Sequence, residues 1–261
     1  MPDAATQFET VTSADGTTIA YERAGVGTPL ILVGGAFSTR QSGYPLRAAL
    51  ESDFTVYVID RRGRGDSTDV QPYAVEREVE DLAALIAVAG GVNAYGHSSG
   101  AVLALEAASR GQAIAKLAVY EPPYTFDPDH PEPAGDSGVQ AALDAGDRDG
   151  AVEAFMRLTG MDDQALAWAR QAPFWSGMLE IAHTTAYDLA LTADGRVPTE
   201  RLASISAQTL VMDGGSSPVW AARAAEAVTA AIPGARRLTV EGQDHGVDTA
   251  VLAPLLLEFF E

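Results

Sequence analysis

Residues 96–100 read Gly96-His97-Ser98-Ser99-Gly100, directly after the β-prone run Val92-Asn93-Ala94-Tyr95 and before the apolar stretch Ala101-Val102-Leu103-Ala104-Leu105-Glu106-Ala107-Ala108. A short β-prone run, a turn flanked by glycines and a helix-forming run leave little choice of local structure: the chain turns sharply from strand to helix at the serine. Glycines two residues to either side let strand, turn and helix backbones crowd together where a Cβ would intrude. The serine backbone is strained there, and its hydroxyl stands clear of the sheet end. The five-residue pattern alone arises by chance in many chains, so its context carries the argument.

That context is a strand–helix rhythm. Residues 8–12 and 17–23 are predicted strands joined by the turn Ala14-Asp15-Gly16, which makes a hairpin. Leu30-Ile31-Leu32-Val33 and residues 54–59 are continuous apolar runs, as strands buried on both faces require. Residues 44–51 suit a short helix. Over residues 74–89, Val75, Val79, Leu82, Leu85 and Ile86 recur at helical spacing, with Glu76, Glu78, Glu80 and Asp81 in the half where the helix dipole favours them. Strands at 92–95, 115–120, 209–212 and 237–240 and helices over 219–231 and 248–260 continue the alternation. The pattern predicts an α/β fold with a mostly parallel, eight-stranded sheet and helices on both faces. The rhythm breaks after Glu121, at Pro122-Pro123 and the proline-rich residues 127–133. From 137 to 204 the chain is helix-like, with candidates at 139–145, 151–158, 164–171 and 174–193. Residues 1–121 and 206–261 are therefore expected to form the core domain, and residues 122–205 a helical cap inserted above the sheet.

Composition narrows the chemistry. With 47% hydrophobic and 20% charged residues, the 261-residue chain can bury a sizeable core. There is no cysteine, which excludes disulfides, thiolate catalysis and thiolate-ligated metals. The four histidines, His97, His130, His183 and His245, are scattered without the i, i+4 spacing of metal ligands, so no metal and no cofactor is expected. A net charge of −19 repels phosphate backbones, which argues against nucleic acid or an anionic membrane as partner. No apolar run approaches the ~18 residues of a membrane span. Residues 1–9 lack the basic start and apolar core of a signal peptide. The expectation is a cytoplasmic protein acting on a small molecule, with a homodimer left open.

Four segments in order resemble the α/β-hydrolase superfamily over nearly the whole chain: Gly34-Gly35 where that family keeps its oxyanion loop, Asp60-Arg61-Arg62-Gly63-Arg64-Gly65-Asp66-Ser67 after the fourth strand, the turn at Gly96-His97-Ser98-Ser99-Gly100, and His245 after the last strand. The resemblance implies acyl transfer, with Ser98 as nucleophile and His245 as its base. It also implies an oxyanion hole from the backbone N–H groups of Ala36 and Ser99. The acid departs from the common pattern, because Ser217 stands where the family usually has Asp in Asp213-Gly214-Gly215-Ser216-Ser217-Pro218. A serine cannot carry the charge that stabilises an imidazolium. Glu121, closing the preceding strand, is the favoured acid, with Asp213 as an alternative and Asp244 pointing elsewhere. The segment 60–67 reads as structural, its arginines and aspartates tying loops together.

Aromatic and methionine residues of the cap suit an adaptable apolar pocket. Phe37, Tyr124, Phe174 and Trp175 are expected to touch substrate, and Trp168 and Trp175, seven apart, could share one helical face. The expected activity is hydrolysis of a carboxylic ester or lactone of a fairly hydrophobic, uncharged small molecule. The alternatives are diverged chemistry on the same fold (carbon–carbon bond hydrolysis, a lyase reaction or cofactor-free perhydrolysis) and a non-catalytic ligand-binding protein.

Overall fold

The computed structural model describes residues 8–125 and 138–261. Phe126, His130, the proline-rich residues 127–133 and the first seven residues lie outside them.

Eight strands form one sheet: β1 (Glu9–Thr12), β2 (Thr18–Ala24), β3 (Thr28–Val33), β4 (Phe54–Ile59), β5 (Val92–His97), β6 (Ile114–Tyr120), β7 (Gln208–Gly214) and β8 (Arg236–Val240). Their order across the sheet is β1-β2-β4-β3-β5-β6-β7-β8. β1 and β2 form the antiparallel hairpin expected from the turn at Asp15, whose carboxylate accepts the Thr17 N–H at 2.9 Å. β2 also runs antiparallel to β4, and every pair from β4 to β8 is parallel. The helices are α1 (Tyr44–Leu50), α2 (Val75–Ala89), α3 (Ser99–Ser109), α4 (Val139–Asp144), α5 (Arg148–Leu158), α6 (Asp163–Ala169), α7 (Trp175–Glu180), α8 (Thr185–Thr192), α9 (Thr199–Leu202), α10 (Val219–Ala231) and α11 (Thr249–Phe260).

The continuous apolar runs are explained by the two layers that cover them. Ile31 and Val33 of β3 face the core shared with α2, α3 and α10, while Leu30 and Leu32 face the core shared with α1 and α11. On α2, Val79, Leu82, Leu85 and Ile86 are buried, each contributing about 1.5–3 kcal/mol by leaving water. Gly90, left-handed at φ 80°, ends that helix.

Between β6 and β7 the described residues form helices only, α4 to α9. One expectation fails here. Residues 174–193 are not one helix but α7, a 3-10 turn at Ala182–Thr184 and α8. The hydroxyls of Thr184 and Thr185 donate to the Ile181 and Ala182 carbonyls at 2.8 and 2.7 Å, competing with the helical ladder where the helix is tightened. Trp168 and Trp175 accordingly lie on different helices, the first exposed and the second buried.

Candidate active site

Three strand ends at the carboxyl edge of the sheet bring backbone and side chains together in unusual conformations. Of the four non-glycine residues at positive φ among the described residues, three sit here: Phe37 after β3 (φ 57°), Ser98 after β5 (φ 56°) and Glu121 after β6 (φ 46°). Such conformations cost on the order of 1–3 kcal/mol each and persist only where the surroundings impose them.

Ser98 is the turn residue between β5 and α3, as the glycine spacing requires. A Cβ on Gly96 would lie 2.6 Å from the Ala101 Cα, and one on Gly100 would overlap the Val33 and Gly34 carbonyls. The loop after β3 comes equally close: a Cβ on Gly35 would lie 2.8 Å from the Ser98 Cβ and 3.3 Å from its hydroxyl oxygen. Next to that contact, the N–H groups of Ala36 and Ser99 have no acceptor among the described residues. For Ser99 the start of α3 leaves the donor free, for Ala36 the turn after β3 does, and the two flank one serine.

Glu121 is fully buried. Its left-handed backbone, with its N–H on the Met212 carbonyl at 2.9 Å, turns the side chain across the end of β7. One carboxylate oxygen accepts the Gly214 N–H at 2.7 Å, and the other meets His245 Nδ1 at 2.7 Å. Burial works against the Glu121 charge. The hydrogen bond from His245, the nearby Ser217 hydroxyl and the Gly214 N–H outweigh it and hold its carboxyl below the usual range. An ionised carboxylate only accepts, so Nδ1 carries the proton and Nε2 of the neutral ring is left unprotonated. The His245 loop is held from below: the Tyr120 hydroxyl donates to the Asp244 carbonyl at 2.7 Å, and His97 Nε2 pairs with the His245 carbonyl at 2.8 Å. Burial first, then the neighbouring His245, pushes His97 down to about 4, so it is neutral and donates through that nitrogen. Trp220 covers His245 edge to face, at 5.9 Å between ring centroids. Nothing in the sequence pattern singles it out.

The structure thus joins Glu121 to His245 directly. No hydrogen bond joins Ser98 Oγ to His245, whose Nδ1 is on Glu121, or to any other group among the described residues. Bonds of this kind are commonly long in unliganded sites and close when substrate arrives. Asp213 is engaged elsewhere, in a two-pronged pair with Arg237 at 2.8 and 3.0 Å, and the Asp244 carboxylate accepts the Gly246 N–H. Ser217 has a buried hydroxyl facing the Glu121 carboxylate but closing no well-formed hydrogen bond with it.

A cavity of about 750 Å³ adjoins the loop after β3, lined by Ala36, Phe37, Met156, Phe174, Met178 and Ile181 with a polar side that includes Thr39 and Arg40. Arg40 is committed to Glu22, Asp60 and Asp66. Of the four expected pocket residues, Phe37 and Phe174 line this cavity. Tyr124 does not: it is packed into the core beneath α3. Trp175 is turned inward among the helices, its indole N–H on Asp149 at 2.9 Å. Both are large rings whose burial in a core outweighs exposure at a wet pocket wall. Among the described residues no group of side chains could hold a metal, and no helix is long and apolar enough to cross a membrane.

The sequence model of the alpha/beta hydrolase family matches residues 30–254. An alpha/beta hydrolase from Sphaerobacter thermophilus is 50% identical with a TM-score of 0.91, over 97% of this chain and 100% of its own. A hydrolase from Pseudomonas aeruginosa is 25% identical with a TM-score of 0.77, over 98% and 99%. An esterase from Rhodococcus shares the fold at 22% identity and a TM-score of 0.74, over 97% and 98%.

Proposed function

The chain belongs to the alpha/beta hydrolase family, and we propose that within it the protein is a serine hydrolase cleaving a carboxylic ester or lactone of a small, uncharged, fairly hydrophobic molecule. The observation that carries this reading is the pairing of buried Glu121 with His245, in a site whose serine sits on a strained turn. Ser98 Oγ attacks the substrate carbonyl as its proton passes to His245 Nε2. Glu121 offsets the imidazolium charge through Nδ1. The carbonyl oxygen, now negative, is held by the Ala36 and Ser99 N–H groups. Collapse of the tetrahedral adduct breaks the bond to the alkoxy oxygen, which takes the proton from His245. Water then repeats the sequence on the acyl-enzyme, releasing the acid and restoring Ser98.

The cavity supports the substrate class. Its apolar wall is built of Phe37, Met156, Phe174, Met178 and Ile181, and its arginine, Arg40, is already neutralised by three carboxylates. That leaves no spare positive charge to hold an anionic substrate. In this reading residues 122–205, helical from Val139 to Leu202 among the described residues, act as the cap that roofs the site. A p-nitrophenyl ester assay, a lactone assay and labelling with a fluorophosphonate test the proposal. Turnover and labelling are expected in the wild type, and Ser98→Ala should lower kcat by about 10⁴-fold or more without loss of folding. Absence of both turnover and labelling in the wild type overturns it.

A further inference from the structure

Four charged side chains lie sealed beneath this site, apart from the Glu121–His245 pair: Arg61 and Arg64, which follow β4, Glu78 on α2 and Asp188 on α8, each no more than 3% exposed. Two guanidiniums and two carboxylates balance. Arg61 pairs with Glu78 at 2.6 Å and with Asp188 at 2.9 Å, and Arg64 reaches both Asp188 oxygens at 2.8 Å. Burial disfavours the Asp188 charge, but Arg64 and then Arg61 hold its carboxyl below the usual range.

What this cluster touches is the backbone beside Ser98. Arg64 Nη1 donates to the Gly35 carbonyl at 2.5 Å, and Arg61 Nη1 to the Gly34 carbonyl at 3.3 Å. In a trans peptide the C=O and the following N–H point to opposite sides of one rigid plane. Clamping the Gly35 carbonyl therefore sets the direction of the Ala36 N–H. The clamp also polarises that peptide, which strengthens its donor. The second donor is anchored on the same carboxylate. The Ser99 hydroxyl donates to Asp188 at 2.7 Å and accepts from Arg61 at 3.1 Å. Both N–H groups that flank Ser98 are thus referred to one ion cluster, and one member of it, Asp188, comes from the helical segment between β6 and β7.

We propose that Arg64 and Asp188 are positioning residues for the oxyanion hole, Arg64 aiming the Ala36 N–H and Asp188 holding both Arg64 and Ser99 in place. The inference rests on the serine-hydrolase reading, since only an oxyanion gives these donors work. An oxyanion needs both donors within about 2.7–3.1 Å of the place where it forms, so a tilt of either peptide is felt in the transition state rather than in substrate binding.

The test compares Arg64→Met, Arg64→Lys and Asp188→Asn with Asp81→Asn. The last breaks another buried ion pair of the same segment, Asp81 with Arg62 at 2.7 Å, which does not touch the loop after β3. For Arg64→Met, kcat on a p-nitrophenyl ester should fall about 30–300-fold with KM within about threefold. Affinity for an aryl trifluoromethyl ketone, which forms a hemiketal oxyanion on Ser98, should weaken by a similar factor. Arg64→Lys should recover part of the loss, and a crystal structure of Arg64→Met should show the Gly35–Ala36 peptide rotated. Asp188→Asn should follow Arg64→Met in direction, and Asp81→Asn should lose stability while keeping kcat. If Arg64→Met does not fold, Arg64→Lys and Asp188→Asn carry the same readings. An active wild type whose Arg64 and Asp188 variants keep kcat and ketone affinity, or an Asp81→Asn that loses as much kcat, overturns this inference alone. A wild type that neither turns over esters nor reacts with a fluorophosphonate overturns the serine-hydrolase reading and this inference with it.

Discussion

Glu121 and Asp188 are both sealed carboxylates beside nitrogen partners, and they are partnered in opposite ways. Glu121 is fully buried, but the imidazole it meets is 42% exposed and is a cation only when protonated. Asp188 meets two guanidiniums that never lose their charge, each as buried as itself. The neutral support differs accordingly. Glu121 has a backbone N–H from Gly214 to satisfy it while His245 is uncharged. Asp188 needs no such reserve, because its cations and the Ser99 hydroxyl always fill it. A charge pair that must form and vanish during a reaction has to keep one partner open to the substrate. A charge pair that only holds geometry can be closed off completely.

The sharpest way to break that contrast is Glu121→Gln. Glutamine can still accept the Gly214 N–H, so the urea midpoint should move little. It cannot stabilise an imidazolium, and its amide can enforce the wrong tautomer of His245, so kcat should drop by about 10³–10⁴-fold. A rate within about tenfold of wild type would remove Glu121 from the mechanism and erase the distinction.

Asp188→Ala probes the other side. Removing one carboxylate leaves Arg61 and Arg64 facing each other with only Glu78 between them in charge, and the loss should be about 3–5 kcal/mol in chemical denaturation. Burial and the adjacent Arg61 already depress the Arg64 guanidinium, which marks how poorly that pair tolerates an imbalance. A loss below about 1 kcal/mol would mean that the cluster is not sealed as its burial indicates.

A third, smaller effect asks whether the acid's place or its residue matters. The Ser217 hydroxyl faces the Glu121 carboxylate across the end of β7. Ser217→Asp in the Glu121→Gln background should recover about 10–100-fold in kcat, because a carboxylate from that loop can approach the same imidazole. Alone, Ser217→Asp sets two carboxylates side by side and should raise the apparent pKa of one of them. Failure of the double variant to exceed Glu121→Gln would show that only the β6 position can serve His245.

How much of this could be read in the sequence follows the same division. The turn at Ser98 and the strand–helix rhythm are local: glycine spacing, continuous apolar runs and the 3.6-residue helical period encode them directly. The pairing of Glu121 with His245 is only partly legible: the family resemblance asks for an acid where Ser217 stands, which leaves Glu121 and Asp213 both open, and only the folded chain brings Glu121 to the imidazole. Asp188 was not legible. It sits inside a helical pattern between Tyr187 and Leu189, and its partner Arg61 lies 127 residues away. Arg61 and Arg64 read only as loop ties, which they are, without a sign of which peptides they hold. Tyr124 and Trp175, expected at the pocket, pack into cores for a related reason: aromatic residues announce burial, not whether a core or a pocket receives them. The break at residues 181–185 is invisible in the sequence because no glycine or proline marks it; it carries only two threonine hydroxyls bonded back to the Ile181 and Ala182 carbonyls.

The smallest expected effect separates the two regions by acid. His97, beneath His245, is held neutral and down to about 4 against 6.5 in an unfolded chain. Between those values the unfolded state binds the extra proton, so stability falls as pH drops from 6.5 through 4. Glu121, depressed below its usual 4.5, supports the fold above that value, and its support is lost as pH falls through its lower native value. Asp188 is also depressed, from 3.8, so its contribution fails only in stronger acid. The unfolding free energy from urea titration should therefore decline between pH 6.5 and 4.5 by an amount on the order of 1 kcal/mol, since His97 is only partly buried and Asp81, raised to about 6 by burial, works in the opposite direction. His97→Gln, which keeps a donor for the His245 carbonyl, should flatten that part of the curve. Asp188→Asn should leave its slope unchanged while lowering it throughout. A decline that survives His97→Gln and disappears in Asp188→Asn would place the acid-sensitive charge in the ion cluster, opposite to the arrangement described.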